Sequence, residues 1–358
     1  MPELRARLFA ARRDPFWGAA FALALALLIS FVAIAASGRD ALTGFGDLAS
    51  GAFAGRGPLG ESAIKAAVLI LTGLSVAVAF TVGLFNIGAE GQLIWGALAA
   101  AVAGRADVPG AVLFSLLASA LAGAAWGVLP GLLKVRRGVH EVISTILLNW
   151  IAIHLVHGWL VAGPLAAQGS GADISVAGTA PVSRYAWLPR PIPGSRFDLG
   201  FFVALAVAAA VWLLLTRTWR GFEWRAVGAG RDAAEASGIP AGRRICEAMA
   251  LSGACAGMAG ALLVLGTEHR FPGVFRTGYG FDGIAVALLG GGTAAGTVLS
   301  ALVFGALRTG ATRLQLVGIH PSFAELIQGL AVLLVAAPRI VSPLLSRLRG
   351  LPPKAVAS

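Results

Sequence analysis

The sequence predicts an all-α protein, a polytopic transmembrane helical bundle of about 10 helices, some of them broken or re-entrant. Of its 358 residues, 57% are hydrophobic and only 13% are charged, whereas a soluble domain of this length carries about 25% charged residues. Apolar runs of about 20 residues recur, each long enough to cross a hydrocarbon core of about 30 Å. We therefore expect a single membrane domain over residues 1–358.

About ten segments are predicted to cross the membrane, and together they define a membrane core over 16–338. They lie at roughly 16–37, 63–82, 86–103, 110–133, 141–162, 199–216, 247–266, 281–294, 296–313 and 322–338. The third is interrupted by polar residues and the eighth is short, which predicts broken or re-entrant helices at these two places.

Basic residues are concentrated in four of the segments that flank the apolar runs, which places these four on the cytoplasmic side. They are the N-terminal segment, 134–137, 217–246 and the segment after 338. Both termini are thus expected in the cytoplasm, with the chain crossing a bacterial inner membrane several times. Arg308 and Arg313 fit this arrangement poorly, because they lie near an outer end.

Two segments outside the apolar runs differ in character. Residues 163–198 are rich in proline, glycine and serine and predict an external loop without regular structure. Residues 217–246 form the long, charged cytoplasmic loop. The net charge of +11 is spread between apolar runs and not over one soluble surface, so no nucleic-acid partner is expected.

The first candidate functional motif is Gly83–Gln92, which interrupts about 40 mostly apolar residues with polar side chains and glycines. A carboxylate such as Glu90 costs several kcal/mol at mid-membrane unless it is paired or faces water. Unwound backbone is tolerated at that depth where protein buries it or where it lines a cavity. The motif therefore predicts a broken helix at a substrate pathway; the alternative is a polar turn at the cytoplasmic interface.

The second motif is Gly278–Gly283, followed by the short apolar run Ile284–Leu289 and by three glycines at 290–292. Six apolar residues cannot span a bilayer as a helix, so this segment re-enters or continues into the next helix. Two glycine-interrupted segments, one in each half, indicate a central site between the halves. Tight helix packing through small residues is the alternative.

The third motif lies in the cytoplasmic loop at Val227–Pro240. Asp232 and Glu235 have the spacing of a capping box, and Gly238 with Pro240 supplies a stop. This pattern predicts a very short helix that needs a docking surface. An ordinary connector with some helical character is the alternative.

The fourth motif is Gly138–Trp150, an apolar helix that carries three polar side chains. Thr145 and Asn149 are four residues apart and share a face. Polar groups in a membrane helix turn inward, either to bond neighbouring helices or to line a pathway. The sequence leaves both possibilities open.

Catalytic chemistry is not indicated. The sequence has no Gly-x-x-x-x-Gly-Lys-Ser/Thr phosphate loop, so the chain should not hydrolyse ATP itself. No convergent set of acid, base, nucleophile or metal ligands is visible, and no catalytic residue, metal or cofactor is predicted.

Together the four motifs resemble those of the permease subunits of ABC importers for branched-chain amino acids, simple sugars and nucleosides, most closely the nucleoside and simple-sugar branch. The matching stretches occur in the same order: GLFNIGAEGQ at 83–92, EVISTILLN at 141–149, 227–239, and GFDGIAVALL at 280–289. The similarity runs from about residue 63 to 338. One departure is the Gly-Gly-Gly-Thr turn after Leu289, where the family often has Asn or Pro.

The resemblance implies that 228–238 holds the coupling helix that docks into a separate ATPase. It also implies an external substrate-binding protein and a second, related permease subunit. The residues expected to couple to the ATPase are Gly228, Arg231, Asp232, Glu235 and Gly238.

The leading functional hypothesis is a permease subunit whose small-molecule substrate is a nucleoside or simple sugar. The residues expected to line the pathway are Phe85, Asn86, Glu90, Gln92, Thr145, Asn149, Phe281 and Asp282. Aromatic rings and amides suit a nucleobase or ribose, by stacking and hydrogen bonding. The competing class is an ion-coupled secondary transporter or channel, for which Glu90, Glu141 and Asp282 would supply the acidic groups.

Overall fold

The computed structural model describes residues 15–36, 40–167, 178–275, 278–316 and 322–336. Within these ranges the chain forms thirteen α-helices and no β-strand. The helices are α1 (Pro15–Ala36), α2 (Ala41–Phe53), α3 (Arg56–Thr81), α4 (Ala89–Ala103), α5 (Ala111–Arg137), α6 (Glu141–Ile153), α7 (Gly200–Arg217), α8 (Trp219–Ala229), α9 (Arg231–Ala236), α10 (Ala241–Leu263), α11 (Tyr279–Leu289), α12 (Ala294–Leu316) and α13 (Ser322–Ala336). π-Helical turns extend α6 to Val161 and α10 to Glu268.

A helix lies at each of the ten predicted crossings, so the all-α transmembrane bundle is confirmed. Six described helices are long and apolar enough to cross a membrane: α3, α5, α6 and α10 with their extensions, α7 and α12. The apolar parts of α1, α4, α11 and α13 are shorter. The two segments predicted to be broken or re-entrant, α4 and α11, are among these shorter helices.

Helix α2 was not predicted. Its first turn is capped by the Asp40 carboxylate, which accepts hydrogen bonds from the backbone N–H groups of Leu42 and Thr43. Asp47 of α2 lies 3.7 Å from the guanidinium of Arg313 on α12. Arg313, which fitted the sequence-based topology poorly, therefore has an acidic partner on α2.

Helices α3, α4 and α10 form the centre of the bundle. Nearly every residue of α3 from Ala66 to Ala79 is buried, as expected for a helix that is apolar on all sides. Helices α5 and α7 lie at the periphery and expose several large apolar side chains, such as Leu117 and Leu121. In a bilayer these side chains would face lipid.

Glycines bring α5 and α10 into backbone contact. A Cβ atom on Gly257 would overlap the Ser119 carbonyl oxygen, and one on Gly253 would overlap that of Gly123. Gly96 of α4 lies equally close to the backbone of Gly257. The Gly253-x-x-x-Gly257 spacing thus joins three helices through small residues, which is a common way to pack membrane helices.

The segments predicted on opposite sides of the membrane lie at opposite ends of the bundle. At one end, α10 begins against the last turn of α5, where Gly242 contacts Val135. At the other end, the Ser183 backbone N–H donates to the Gly104 carbonyl at 2.7 Å. The predicted terminal segments, 1–14 and 337–358, lie outside the described residues.

The predicted external loop, 163–198, is described except at 168–177, and its described part is largely irregular, as expected. The loop packs onto the C-terminal extension of α10. The Trp187 ring stacks on His269 with ring centroids 3.9 Å apart, and Arg190 donates to the Gly266 carbonyl at 2.7 Å. Asp198 accepts a 2.8 Å hydrogen bond from the backbone N–H of Gly200, at the start of α7.

Burial changes the pKa values of two groups in this loop region. Burial raises the pKa of Asp198 to about 6, despite the opposing effects of the Gly200 hydrogen bond and the Arg190 charge. Burial also lowers the pKa of His269, and the nearby charges of Arg190 and Arg196 lower it further. Burial thus disfavours the ionised form of Asp198 in the loop and the protonated form of His269 at the end of the α10 extension.

Candidate functional site

The chain is non-helical between α3 and α4, as the glycines and polar residues of this motif predict. Helix α3 ends at Thr81, and Gly83 adopts φ of 75°, a conformation that favours glycine. The chain then runs without regular structure to Gly88, and α4 begins at Ala89. We call residues 82–88 the broken segment.

The Asn86 side chain joins the broken segment to three helices. Its amide nitrogen, which carries two hydrogens, lies within hydrogen-bonding distance of the Ser252 hydroxyl of α10 at 2.8 Å, the Gln92 side-chain oxygen of α4 at 2.9 Å and the Ser75 hydroxyl of α3 at 3.2 Å. Its carbonyl oxygen accepts from the backbone N–H of Gly88 at 2.8 Å. All these side chains are buried, so Asn86 is the centre of an internal polar cluster.

Asn149 attaches α6 to the same place. Its amide donates to the Ile87 carbonyl at 2.7 Å, and its side-chain oxygen accepts from the Gly91 backbone N–H at 2.8 Å. Thr145 lies on the same buried face, but its hydroxyl donates within its own helix, to the Glu141 carbonyl at 2.8 Å. Asn149 thus supplies the bonding between helices, whereas the Thr145 hydroxyl does not.

Glu90 connects the broken segment to the second glycine-interrupted segment. Its two carboxylate oxygens accept hydrogen bonds from the backbone N–H groups of Gly278, at 3.0 Å, and Gly280, at 2.7 Å. These donors lie at the N-terminus of α11, where unpaired N–H groups and the helix dipole favour an anion. The two motifs that the sequence places almost 200 residues apart therefore meet at one buried carboxylate.

Helix α11 ends after eleven residues, a length of about 16 Å that is too short for a bilayer. Gly291 and Gly292 then turn the chain, with φ of 63° and 66°. Helix α12 follows and returns Arg308 to α11, where its guanidinium lies 2.7 Å from the Asp282 carboxylate. The Arg308 guanidinium carbon also lies 4.0 Å from the Tyr279 ring centroid. Arg308 is therefore paired inside the bundle.

The eight residues expected at the pathway divide into two groups. The buried group is Asn86, Glu90, Gln92, Thr145 and Asn149, and in this conformation its members contact protein on all sides. The partly exposed group is Phe85, Phe281 and Asp282. The Phe281 ring is half-exposed, and the Phe85 ring packs 5.2 Å from that of Phe80 at the end of α3.

The charged segment 217–246, predicted as a cytoplasmic loop that contains one very short helix, is mostly helical. It contains α8, the six-residue helix α9, and the first turns of α10. The predicted capping box is wrong: Gly230 is the N-cap of α9, and Glu235 bonds instead to the Arg231 guanidinium at 3.1 Å. Residues four apart lie next to each other on a helix surface, although an acid that follows the base is the weaker order for such a pair.

The predicted short helix and its stop are both present. Gly238 adopts φ of 81° just after α9, and the Ile239 N–H returns to the Ala234 carbonyl at 3.0 Å. The side chains of α9 are exposed except for that of Ala234. In the last turn of α8, Gly228 lies against the Thr81 carbonyl, so closely that a Cβ atom would overlap it. Helix α8 therefore ends at the broken segment.

Residues 59–336, which include every motif described above, match the family described as "branched-chain amino acid transport system / permease component". The chain belongs to this permease family. The predicted resemblance is thereby confirmed.

Three relatives are similar along most of their length. The chain is 37% identical over 335 residues to the guanosine ABC transporter permease protein NupP of Bacillus subtilis, covering 92% of this chain and 95% of that protein. It is 30% identical to the nucleoside ABC transporter permease protein NupB of Lactococcus lactis, covering 92% and 93%. It is 34% identical to the glucose ABC transporter permease protein TsgB13 of Haloferax volcanii, covering 86% and 83%. No solved structure is significantly similar to the chain.

These findings establish the class of the protein. The permease is a multi-pass membrane subunit of an ABC transporter, and not an enzyme. The ion-coupled secondary transporter considered as the competing class is thereby disfavoured. Ser75, Ser252 and Arg308 belong to the same arrangement but were missed, because a single serine or arginine in an apolar helix does not reveal its partner.

Proposed function

We propose that the permease forms half of the central pathway of an ATP-driven importer for nucleosides in the bacterial inner membrane. The observation that carries this proposal is the 37% identity, over 92% of the chain, to a permease named for guanosine transport. The Haloferax volcanii permease, which is 34% identical to this chain, is named for glucose transport, so simple sugars are the second candidate substrate class.

The proposed partners are a second homologous permease, a separate ATPase and an external substrate-binding protein. Both termini would lie in the cytoplasm, on the side of α8 and α9. The exposed helix α9 would dock into the ATPase, since a six-residue helix is marginal without a partner surface. Its exposed Arg231, Asp232 and Glu235 would supply polar contacts there.

The side of α11 that carries Phe281 and Asp282 is the proposed pathway surface. Asp282 and Arg308 are both partly exposed, and charged groups at membrane depth face water or protein and not lipid. The half-exposed Phe281 ring beside this pair offers a stacking surface. The carboxylate and guanidinium offer an acceptor and donors for the polar edge of a base or sugar.

The buried group would support this surface from behind. Asn86, Glu90, Gln92 and Asn149 bond to backbone and to neighbouring helices, so their proposed role is to hold the broken segment and the start of α11 in place. Phe85, partly exposed at the broken segment, would contact substrate directly.

The decisive experiment is uptake of radiolabelled inosine into vesicles that carry the complete transporter, with and without ATP. ATP-dependent uptake that other nucleosides compete, but ribose, glucose and leucine do not, is the expected result. ATP-dependent uptake of a sugar instead would retain the importer and replace the substrate. Uptake that is independent of ATP and is abolished by a proton uncoupler would refute the proposal of an ATP-driven importer.

Cysteine labelling tests the pathway surface. Cys246 is half-buried and Cys255 is fully buried, so Cys246→Ser provides a background with little reactivity. In that background, Phe281→Cys should react with a charged thiol reagent and be protected by saturating inosine. The matched control is Leu121→Cys on the exposed face of α5, which should stay unlabelled in lipid. Equal labelling at both positions would reject the assignment.

A further inference from the structure

A buried ion pair joins α8 to α10. The Arg244 guanidinium donates to one Glu223 carboxylate oxygen at 3.1 Å, and its Nε lies 2.9 Å from the other. Both side chains are less than one-tenth exposed. Because removing two charges from water is costly, such a pair is weak evidence for stability; in some proteins it instead serves to specify one geometry.

Glu247 extends this pair into a network. It accepts hydrogen bonds from Arg244 at 2.8 and 2.9 Å and from Arg220 of α8 at 2.9 Å. Arg243 also bonds to Glu247, at 3.0 Å, but it lies on the same helix and is mostly exposed. Two contacts therefore cross from α8 to α10, Arg244 with Glu223 and Arg220 with Glu247, whereas the Arg243 contact does not cross.

Helix α8 lies between the proposed ATPase contact and the broken segment. Its C-terminal end packs on the last residue of α3 through Gly228 and Thr81, and α9 begins after a single intervening residue, Gly230. Helix α10, at the other end of the network, carries Ser252, which bonds to Asn86. Helices α8 and α10 thus both contact the segment 82–88 or the helix end just before it.

We propose that Glu223 and Arg244 are positioning residues that bind α8 to α10, so that a displacement of α9 moves the broken segment. This inference rests on the proposed function, in which an ATPase docks on α9. Without the pair, α8 could move relative to α10, and ATP hydrolysis would continue while transport per ATP falls. Neither residue touches substrate.

The test uses the complete transporter in liposomes and measures inosine molecules imported per ATP hydrolysed. Arg244→Ala and Glu223→Gln should lower this ratio by about tenfold, a size typical of coupling between sites. Arg243→Ala is the matched control, because it removes another guanidinium from Glu247 without breaking a contact between helices, and it should leave the ratio unchanged. Arg244→Lys, which retains the charge, should restore part of the ratio.

A double variant keeps the inference testable if single variants fail to assemble. Glu223→Leu with Arg244→Met removes both charges together, so no unpaired buried charge remains and the fold should be retained. A lowered ratio in this assembled variant supports the positioning role, and a wild-type ratio overturns it. Failure of the wild-type transporter to import any nucleoside with ATP would instead refute the proposed function.

Discussion

The carboxylate of Glu90 caps the N-terminus of α11 through the backbone N–H of Gly280, 2.7 Å away. Gly280 has no side chain, and this allows α11 to approach the start of α4; a Cβ atom there would overlap the Glu90 backbone. Side chain and backbone therefore fit together at one contact, which links the two interrupted helices.

Glu90→Gln should destabilise the permease by about 2 kcal/mol, because an amide has one acceptor oxygen where the carboxylate offers two. The side-chain amide nitrogen of the substituted glutamine would then face one of the two backbone N–H donors, Gly278 or Gly280. Thermal unfolding in detergent checks this. Glu61→Gln is the control, since Glu61 forms longer ion pairs, of 3.6 and 3.7 Å, with Arg196 and Lys65, each worth about 1 kcal/mol or less. Equal effects of the two substitutions would contradict the capping role.

Asn149→Leu and Thr145→Val should differ sharply in their effects. The first leaves the Gly91 N–H and the Ile87 carbonyl without a partner in a buried place, a loss of about 2–4 kcal/mol. The second removes a hydroxyl that bonds only within its own helix, and should change stability by less than about 1 kcal/mol. Unfolding and inosine uptake are measured for both. Lost uptake in a stable Thr145→Val protein would show that Thr145 lines the pathway after all.

Gly228→Ala should abolish or strongly reduce transport while membrane insertion stays normal. The added methyl group overlaps the Thr81 carbonyl oxygen, so α8 must move away from the end of α3. Gly57→Ala is the control, because a Cβ atom there has no neighbour within 4 Å. Uptake and membrane content are compared for the two variants. Wild-type uptake with Gly228→Ala would remove the basis for coupling through this contact.

Stability should depend on pH through Asp198. Because its pKa is raised to about 6 from 3.8, the folded protein binds this proton more tightly than the unfolded chain. Protonation therefore stabilises the fold, and this stabilisation is lost as the pH rises through about 6. Asp198→Asn retains the acceptor for Gly200 and cannot ionise, so it should exceed the wild type by roughly 2 kcal/mol at about pH 8.

The same two proteins should converge in stability only at about pH 3, below the unfolded-chain pKa of 3.8, where Asp198 is protonated in both the folded and the unfolded state. His269 is unchanged in both, so its opposite pH dependence cancels in the comparison. Thermal unfolding of wild type and variant at both pH values measures the effect. A constant difference between them would contradict the burial of an ionisable group at this position.

The helical architecture could be predicted from the sequence because most crossings are long apolar runs and the two interruptions contain glycine with polar residues. The polar residues of 83–92 and 278–283 had to find partners or water at membrane depth. That requirement located the broken segment and the short helix α11. It did not specify the partners, since a buried amide is satisfied equally well by backbone, side chains or water.

The partners could not be predicted because they come from distant helices. Ser252 and Ser75 are single hydroxyl groups among apolar neighbours, and only the packing of α3 against α10 brings both to Asn86. The Arg308 side chain similarly needs the glycine turn after α11 to reach Asp282. For α9, the capping-box prediction was wrong because Glu235 paired with Arg231 and not with the helix N-terminus.

The glycine contacts among α4, α5 and α10 bear on how this permease would move in the proposed transport cycle. Because small residues let these three helices pack backbone against backbone, we expect them to move together as one body. The movement that admits and releases substrate would then occur at the borders of that body. The broken segment, the end of α8 and the short helix α11 all lie at those borders.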